Sequence, residues 1–516
     1  MNTTTALPVP TLRPQVRPED LNRAITALGG KRNVADVYPL APLQQGILFH
    51  SVYAGASALY VAVVRWRLTG ALDGAVFNRA WRYLMERHTI LRTAFTGQDV
   101  ETPLQIVVRS ADLPMTYWDW HDVPAVQAAE QLDKLVEDER NRSFDLTRPP
   151  LFRVTLVKLA DHQHELIWSS HHLLLDGWSQ PVVMRELFAV YDAFLAGKSP
   201  QLSSARPYRD YIAWLQRQDI SAAEKYWQAR LAGFNEPTPL PLAAPERASS
   251  SADISQGTYE HAFNVDVDAV LAFVRARRWT LNAFLQAAWA IVLSQFSSKS
   301  DVAFGITVAG RPADLPSAEA IVGLFINSLP LRIHVNRNER LEELVRQVQL
   351  RQAELIEFQY TPLINIRQWS ELVEGEPLFE SLFVFENFGT GLEKRSEVDG
   401  LRVEKLGGVE RLHYPLTLTF TANRILGVRV TFASARYQAE VITRLISQLE
   451  RAVKKLMERP NELVENVFQL DEGERAEEIG RGRGAIEQYE GEECVHEWVS
   501  RCAQREGEGI ALVDER

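Results

Sequence analysis

A chain of 516 residues, 46% hydrophobic and 24% charged, has the length and composition for a sizeable core and more than one lobe. Its 56 Lys and Arg against 67 Asp and Glu give a net charge of −11, which argues against nucleic acid as a main partner. Two cysteines, Cys494 and Cys502, lack CxxC spacing, so neither a disulfide framework nor a structural zinc site is expected and the cytoplasm is the default compartment.

Residues 1–36 read as a leader. Its start holds Pro and Thr but no apolar run, so it is no secretion signal. Residues 20–28 read as a short helix stopped by Gly29-Gly30. No apolar run reaches about 18 residues, so no membrane span is expected. From Val37 onward helix and strand patterns alternate. Strands are predicted at 58–68, 150–159 and 165–170, and helices at 73–88, 184–195 and 208–217. The polar stretch 236–256, rich in Pro and Ser, reads as the connection between two halves, 37–235 and 236–470. In the second half Thr280 is a plausible N-cap for a helix over 280–295, with Leu281, Phe284, Leu285, Ala288, Trp289, Val292 and Phe296 on one stripe. Strands are expected at 302–308, 381–385, 416–421 and 426–432, then a long helix over 439–457. Glu, Arg and Gly crowd 472–493, the composition of an exposed linker, and 494–516 reads as helix then strand.

The segment that carries chemistry is His171-His172-Leu173-Leu174-Leu175-Asp176-Gly177-Trp178-Ser179, at the end of the apolar strand 165–170. Side chains alternate faces along a strand, so adjacent histidines there cannot easily do the same job. One can meet a substrate while the other packs inside. A neutral imidazole with a carboxylate nearby suits proton transfer near neutral pH. Gly177 permits a backbone shape that a larger residue resists. Joining an amine to a thioester needs little more: the amine loses a proton, sits against the carbonyl carbon, and the oxyanion is tolerated. Taken alone, a His-His pair is more often structural or incidental than catalytic.

The whole nonapeptide resembles the HHxxxDG signature of the chloramphenicol-acetyltransferase-like superfamily, and in particular of non-ribosomal peptide synthetase condensation domains. Stretches 38–50, 87–95, 208–215, 321–332 and 377–388 are similar to the other motifs of that family, in the same order. The resemblance implies an α/β (α+β) fold of two chloramphenicol-acetyltransferase-like lobes in a V-shaped pseudo-dimer with a central tunnel. Residues 37–235 would be the N-lobe, 236–470 the C-lobe, and 471–516 a linker with the start of an adenylation domain. It implies an acyltransferase that forms an amide between an acyl donor thioester and an aminoacyl group on a downstream peptidyl carrier protein. His172 would be the catalytic residue, as base or as positioning group, supported by His171, Asp176 and Gly177. Asp176 would pair with an arginine, for which Arg87 is the first choice and Arg153 the second. The chain itself would bind no cofactor or metal, and the phosphopantetheine belongs to the carrier partners.

Gly46 stands where many domains with L-configured donors carry arginine, and the stretch looks more like domains taking D-configured or unusual donors. The two histidines set aside the cyclising relatives, which carry aspartates there. Two donor readings follow. In the starter reading, favoured by the Met1 start and the short first helix, acyl-CoA or a separate acyl carrier protein supplies the donor and the product opens a lipopeptide. In the internal reading an upstream carrier hands over a peptidyl group. An epimerisation domain is opposed by the opening motif and by the adenylation-like stretch 495–513. A non-catalytic recruitment platform is opposed by the intact signature.

Overall fold

The computed structural model describes residues 18–53, 59–96, 103–240, 256–386, 400–410, 413–469 and 472–482, with His496, Glu497, Ser500, Arg501 and Gln504. The first 17 residues, most of the 236–256 connection, both cysteines and the strand expected near the C-terminus lie outside the described residues. The chain forms two compact units, Met1–Val467 and Phe468–Arg516.

Among the described residues the strands of the first half are β1 (Val34–Pro39), β2 (Val61–Thr69), β3 (Thr93–Phe95), β4 (Leu104–Val108), β5 (Met115–Asp119), β6 (Phe152–Ala160) and β7 (Gln163–His171). Those of the second half are β8 (Gln256–Ala262), β9 (Asp301–Val308), β10 (Asn327–His334), β11 (Ser381–Glu386), β12 (Arg402–Val409), β13 (Leu416–Ala422) and β14 (Leu426–Ala433). They make a five-stranded sheet β12-β2-β7-β6-β5, a six-stranded sheet β10-β9-β11-β13-β14-β8 and a small sheet β1-β4-β3.

The division between halves is not clean. β12 belongs to the second half by sequence yet pairs antiparallel with β2, from Arg402 opposite Thr69 to Val409 opposite Val63. It covers an edge of β2 that would otherwise expose unpaired backbone groups. A boundary at 235/236 therefore describes the chain's order but not its sheets.

The first large sheet meets the helix Gly74–Arg87 through Trp81, which touches Phe152 of β6 and Trp168 of β7, and that helix packs in turn on the helix Ser179–Leu195; the helix Ala125–Asn141 packs on β2 and β7. Asp73 starts the first of them by accepting hydrogen bonds from the Ala75 and Val76 amides. Phe77, Ala80, Trp81 and Leu84 recur at helical spacing and are wholly buried. Trp81 meets Trp168 of β7 edge to face at 5.3 Å, which fixes the face β7 turns to the core.

In the second half Thr280 caps the helix Leu281–Ser297 through the Ala283 amide. The predicted stripe is too narrow: residues from Leu281 to Ser294 are almost all buried, because the helices Leu341–Ile356 and Ala439–Glu458 and the strand β9 pack around it. Residues Glu472–Gly482 form a helix where composition predicted an exposed linker. The segment is rich in Glu and Arg, which are good helix formers. Among the described residues no helix is long and apolar enough to cross a membrane.

Candidate active site between the two large sheets

β7 ends at the first histidine of the pair. The His171 amide donates to the Leu151 carbonyl and the His172 amide to the Tyr60 carbonyl, each at 2.9 Å. His171 is buried between the rings of Tyr60 and Phe144. Its Nδ1 accepts the Leu173 amide at 3.2 Å, so its own proton sits on Nε2. Burial, helped by its neighbour His172, pushes the His171 imidazole down to about 3. His171 is thus a neutral brace for the turn.

His172 points the other way, into a cavity of about 770 Å3 lined from both large sheets. Its Nε2 lies 2.7 Å from Oε2 of Glu410, the residue after β12. Burial works against a charge on this ring. The Glu410 carboxylate outweighs it, with help from the Leu175 carbonyl and Asp176, and His172 is held above the usual histidine range. Burial likewise works against the Glu410 carboxylate. His172 first, then Arg429 and Lys405, hold it below the usual range. The two thus face each other as a hydrogen-bonded histidine–carboxylate pair. Burial and the nearby Glu410 charge push Glu386 up on the same cavity wall.

Asp176 does not share that cavity. It is wholly buried. Its Oδ1 accepts the Ser179 amide at 2.8 Å and Arg311 Nη2 at 3.2 Å, and its Oδ2 accepts the Phe325 amide at 3.0 Å. Ser179 Oγ lies 2.7 Å from both Asp176 Oδ1 and the Gly323 carbonyl, and it accepts Arg311 Nη2 at 3.0 Å. The cation that answers Asp176 is therefore Arg311, not Arg87 or Arg153. Arg87 ends its helix facing Glu186, whose Oε2 it meets at 2.8 Å beside His88. Arg153 on β6 reaches Glu139 at 2.6 Å. Both arginines have nearer carboxylates, while Asp176 turns toward the second half.

The remaining motifs build this frame. Gln44 is buried. It accepts the Ala41 amide at 2.8 Å and donates to the Leu173 carbonyl at 2.8 Å, tying the opening motif to the signature turn. Arg92 donates to the carbonyls of Met85, Glu86, Val108 and Arg109. Tyr208 lies against the segment that follows Ile321, and a Cβ at Gly323 would come within 2.1 Å of its ring. Gly310, before Arg311, has φ +63 and would carry a Cβ 1.7 Å from the Phe325 carbonyl. Glycine at both places lets the Arg311 loop and the 321–325 loop close over Asp176. Gly177 is not among the described residues of positive φ; it lines the cavity beside His172.

Sequence reasoning missed Arg311 and Glu410, which lie 135 and 238 residues from their partners. The Gly310-Arg311-Pro312 turn after a predicted strand was a signal for the first. The second had none, since it depends on β12 crossing between sheets. Also unforeseen is a cluster behind His171, in which Tyr60 Oη meets His413 Nδ1 at 2.6 Å and His50 stacks on His413 at 4.0 Å.

A family model described as "Condensation domain" matches residues 34–478. One component protein of the linear gramicidin synthase of Brevibacillus parabrevis is 36% identical over 491 residues, covering 94% of this chain and 6% of that protein. A second component of the same synthase is also 36% identical, covering 94% of this chain and 10% of that protein. The chain thus spans a small part of the length of the curated relatives it matches. Among solved structures, the X-domain from teicoplanin biosynthesis superposes with a TM-score of 0.71 at 24% identity, covering 84% of this chain and 97% of that one. The starter condensation domain of rhizomide synthetase RzmA, solved with C8-CoA, superposes with a TM-score of 0.69 at 21% identity, covering 87% and 99%. At such identities these structures show the shared fold alone.

Proposed function

We propose that this chain, which belongs to the condensation-domain family, joins a peptidyl or aminoacyl thioester donor to the amine of an aminoacyl group on a downstream carrier protein. The family forms amide bonds within non-ribosomal peptide synthetases. His172 is the residue proposed to meet the acceptor amine, because it alone of the signature residues combines a titratable side chain with the cavity. His171 braces the turn, and Asp176 with Arg311 locks the two halves around it. The phosphopantetheine arms that present both substrates belong to the carriers, and an adenylation domain would load the acceptor. The proposed setting is the cytoplasm.

The observation that favours a peptidyl donor is the wall of the cavity formed by the six-stranded sheet. Thr258 of β8, Thr417 and Thr419 of β13 and Thr431 of β14 line it, with Arg429 donating to Glu260 at 2.7 Å. Hydroxyls and an ion pair offer partners to amides and gain little from a hydrocarbon. The Gly46 form of the opening motif, which resembles domains for D-configured donors, fits the same reading. The likeness to more than one component of a single gramicidin synthase fits it too, since at most one component of such an assembly can open the product. An apolar strip of the same cavity, Ile306 and Val308 on β9 of that sheet with Ile326 and Ile356, supports the second reading, a starter domain taking an acyl chain from acyl-CoA.

The two are separated by one competition. An aminoacyl-loaded acceptor carrier is offered a panel of acyl-CoAs and, in parallel, a carrier loaded with a short peptide ending in a D- or an L-residue. Intact mass of the acceptor carrier is then read. Peptide transfer without acyl transfer is expected. Acyl transfer without peptide transfer would install the starter reading instead.

A further inference from the structure

The carboxylate of Glu410 occupies the place an acceptor nitrogen has to reach. Its Oε2 is 2.7 Å from His172 Nε2 and it lines the same cavity. Its side chain is 41% exposed, so it has room to turn, while β12 anchors the backbone just before it to β2. The charged neighbours on this side are Lys405 of β12, Arg429 of β14 and Glu386 of β11, with Asp176 on the far side of His172. A ring that donates its Nε2–H to a carboxylate has no lone pair on that nitrogen to accept a proton. An α-amino group, with an ordinary pKa of about 8, arrives largely as an ammonium. That ammonium is the substrate group that complements a carboxylate, and it needs a free Nε2 beside it.

We propose that Glu410 is the acceptor-ammonium site, and that the incoming ammonium takes the carboxylate from His172 and thereby frees Nε2 to act. The inference rests on the condensation reading. As the resting pair opens, His172 returns its proton to water. The ammonium, held by Glu410, passes one proton to Nε2. Its nitrogen forms a bond to the thioester carbonyl carbon, and the carbon–sulfur bond breaks. Of the three ammonium protons, one stays on the amide, one ends on the departing thiol and one leaves to water. The same contact keeps the base capped until an acceptor is present, which suppresses hydrolysis of a waiting donor.

The test compares two acceptors on the full chain: an aminoacyl thioester and its aminooxy analogue, whose nitrogen is uncharged at neutral pH. Glu410→Gln keeps the size and removes the charge. The ratio of kcat/KM for the amino acceptor to that for the aminooxy acceptor is expected to fall about tenfold, as for loss of a charged hydrogen bond, with KM carrying the change. The acid limb of the pH–rate profile with the aminooxy acceptor moves to lower pH, because His172 loses the carboxylate that raises it. Glu410→Asp restores part of the ratio. Equal losses on both acceptors, or an unchanged ratio, would overturn the assignment while leaving the condensation reading intact. A wild-type chain that acts on neither acceptor with any donor would overturn both.

Discussion

Replacing Arg311 with alanine leaves the Asp176 carboxylate wholly buried, with the Ser179 and Phe325 amides and the Ser179 hydroxyl but without its cation. Three further contacts are lost with it. The guanidinium also donates to the Ala318 and Ile321 carbonyls and lies over the Phe325 ring at 4.1 Å. Removing one partner of a buried pair costs about 3–5 kcal/mol, mostly from the charge left behind. Arg87→Ala is the comparison, because Glu186 keeps His88 at 2.7 Å when Arg87 goes, so a loss of about 1–2 kcal/mol is expected there. Urea unfolding followed by tryptophan fluorescence reports both, since Trp168 of β7 and Trp81 of the helix packed on it are buried beside the signature. The double change Arg311→Met with Asp176→Asn removes the stranded charge and should recover part of the stability. If Arg311→Ala unfolds no more easily than Arg87→Ala, or if the double change is worse than the single, the lock between the halves is misassigned.

Gly323→Ala places a methyl within 2.1 Å of the buried Tyr208 ring and should cost about 1–3 kcal/mol by the same unfolding assay, with condensation lost in step with the geometry. Burial holds His171 and His413 neutral down to about 3, far below an unfolded histidine. As pH falls from about 6.5 the unfolded chain takes up protons that the folded chain refuses, so each costs about 1.4 kcal/mol per pH unit until its folded pKa is reached. Urea midpoints between pH 7 and 4 should show this slope, and His171→Gln should flatten it. The His172–Glu410 pair has the opposite sense on its basic side. His172 is raised, so its contribution is full at acid pH and lost as pH rises through the folded value; Glu410 is lowered, so its share is lost only as pH falls through that depressed value. Glu410→Gln should therefore alter stability only between those two values, which pH-resolved unfolding of the variant detects.

The sequence made local features legible. The strand before the histidines, the helix capped by Thr280 and the opposite facing of His171 and His172 all follow from alternation and capping, which act over a few residues. Arg311 and Glu410 did not emerge, because nothing within a few residues of Asp176 or His172 announces a partner in another lobe. Arg87 was a reasonable choice on the motif that holds it, but a buried carboxylate takes whichever cation the fold brings to it. The width of the buried face on Leu281–Ser297 was underestimated for a similar reason: Gln286 and Ser294 are polar by type yet enclosed by two helices from elsewhere in the chain.

Intact mass of an aminoacyl-loaded acceptor carrier, after incubation with a thioester donor and either the wild-type chain or His172→Ala, tests the central claim most directly. The wild type should add the donor's acyl or peptidyl mass through an amide that survives base treatment. His172→Ala should slow this about 10²–10⁴-fold, the usual contribution of a proton-transferring side chain, while keeping the free energy of unfolding within about 1 kcal/mol of the wild type. Equal product from the two proteins would show that the cavity-facing histidine is not the reacting group, and the account of this site would fail.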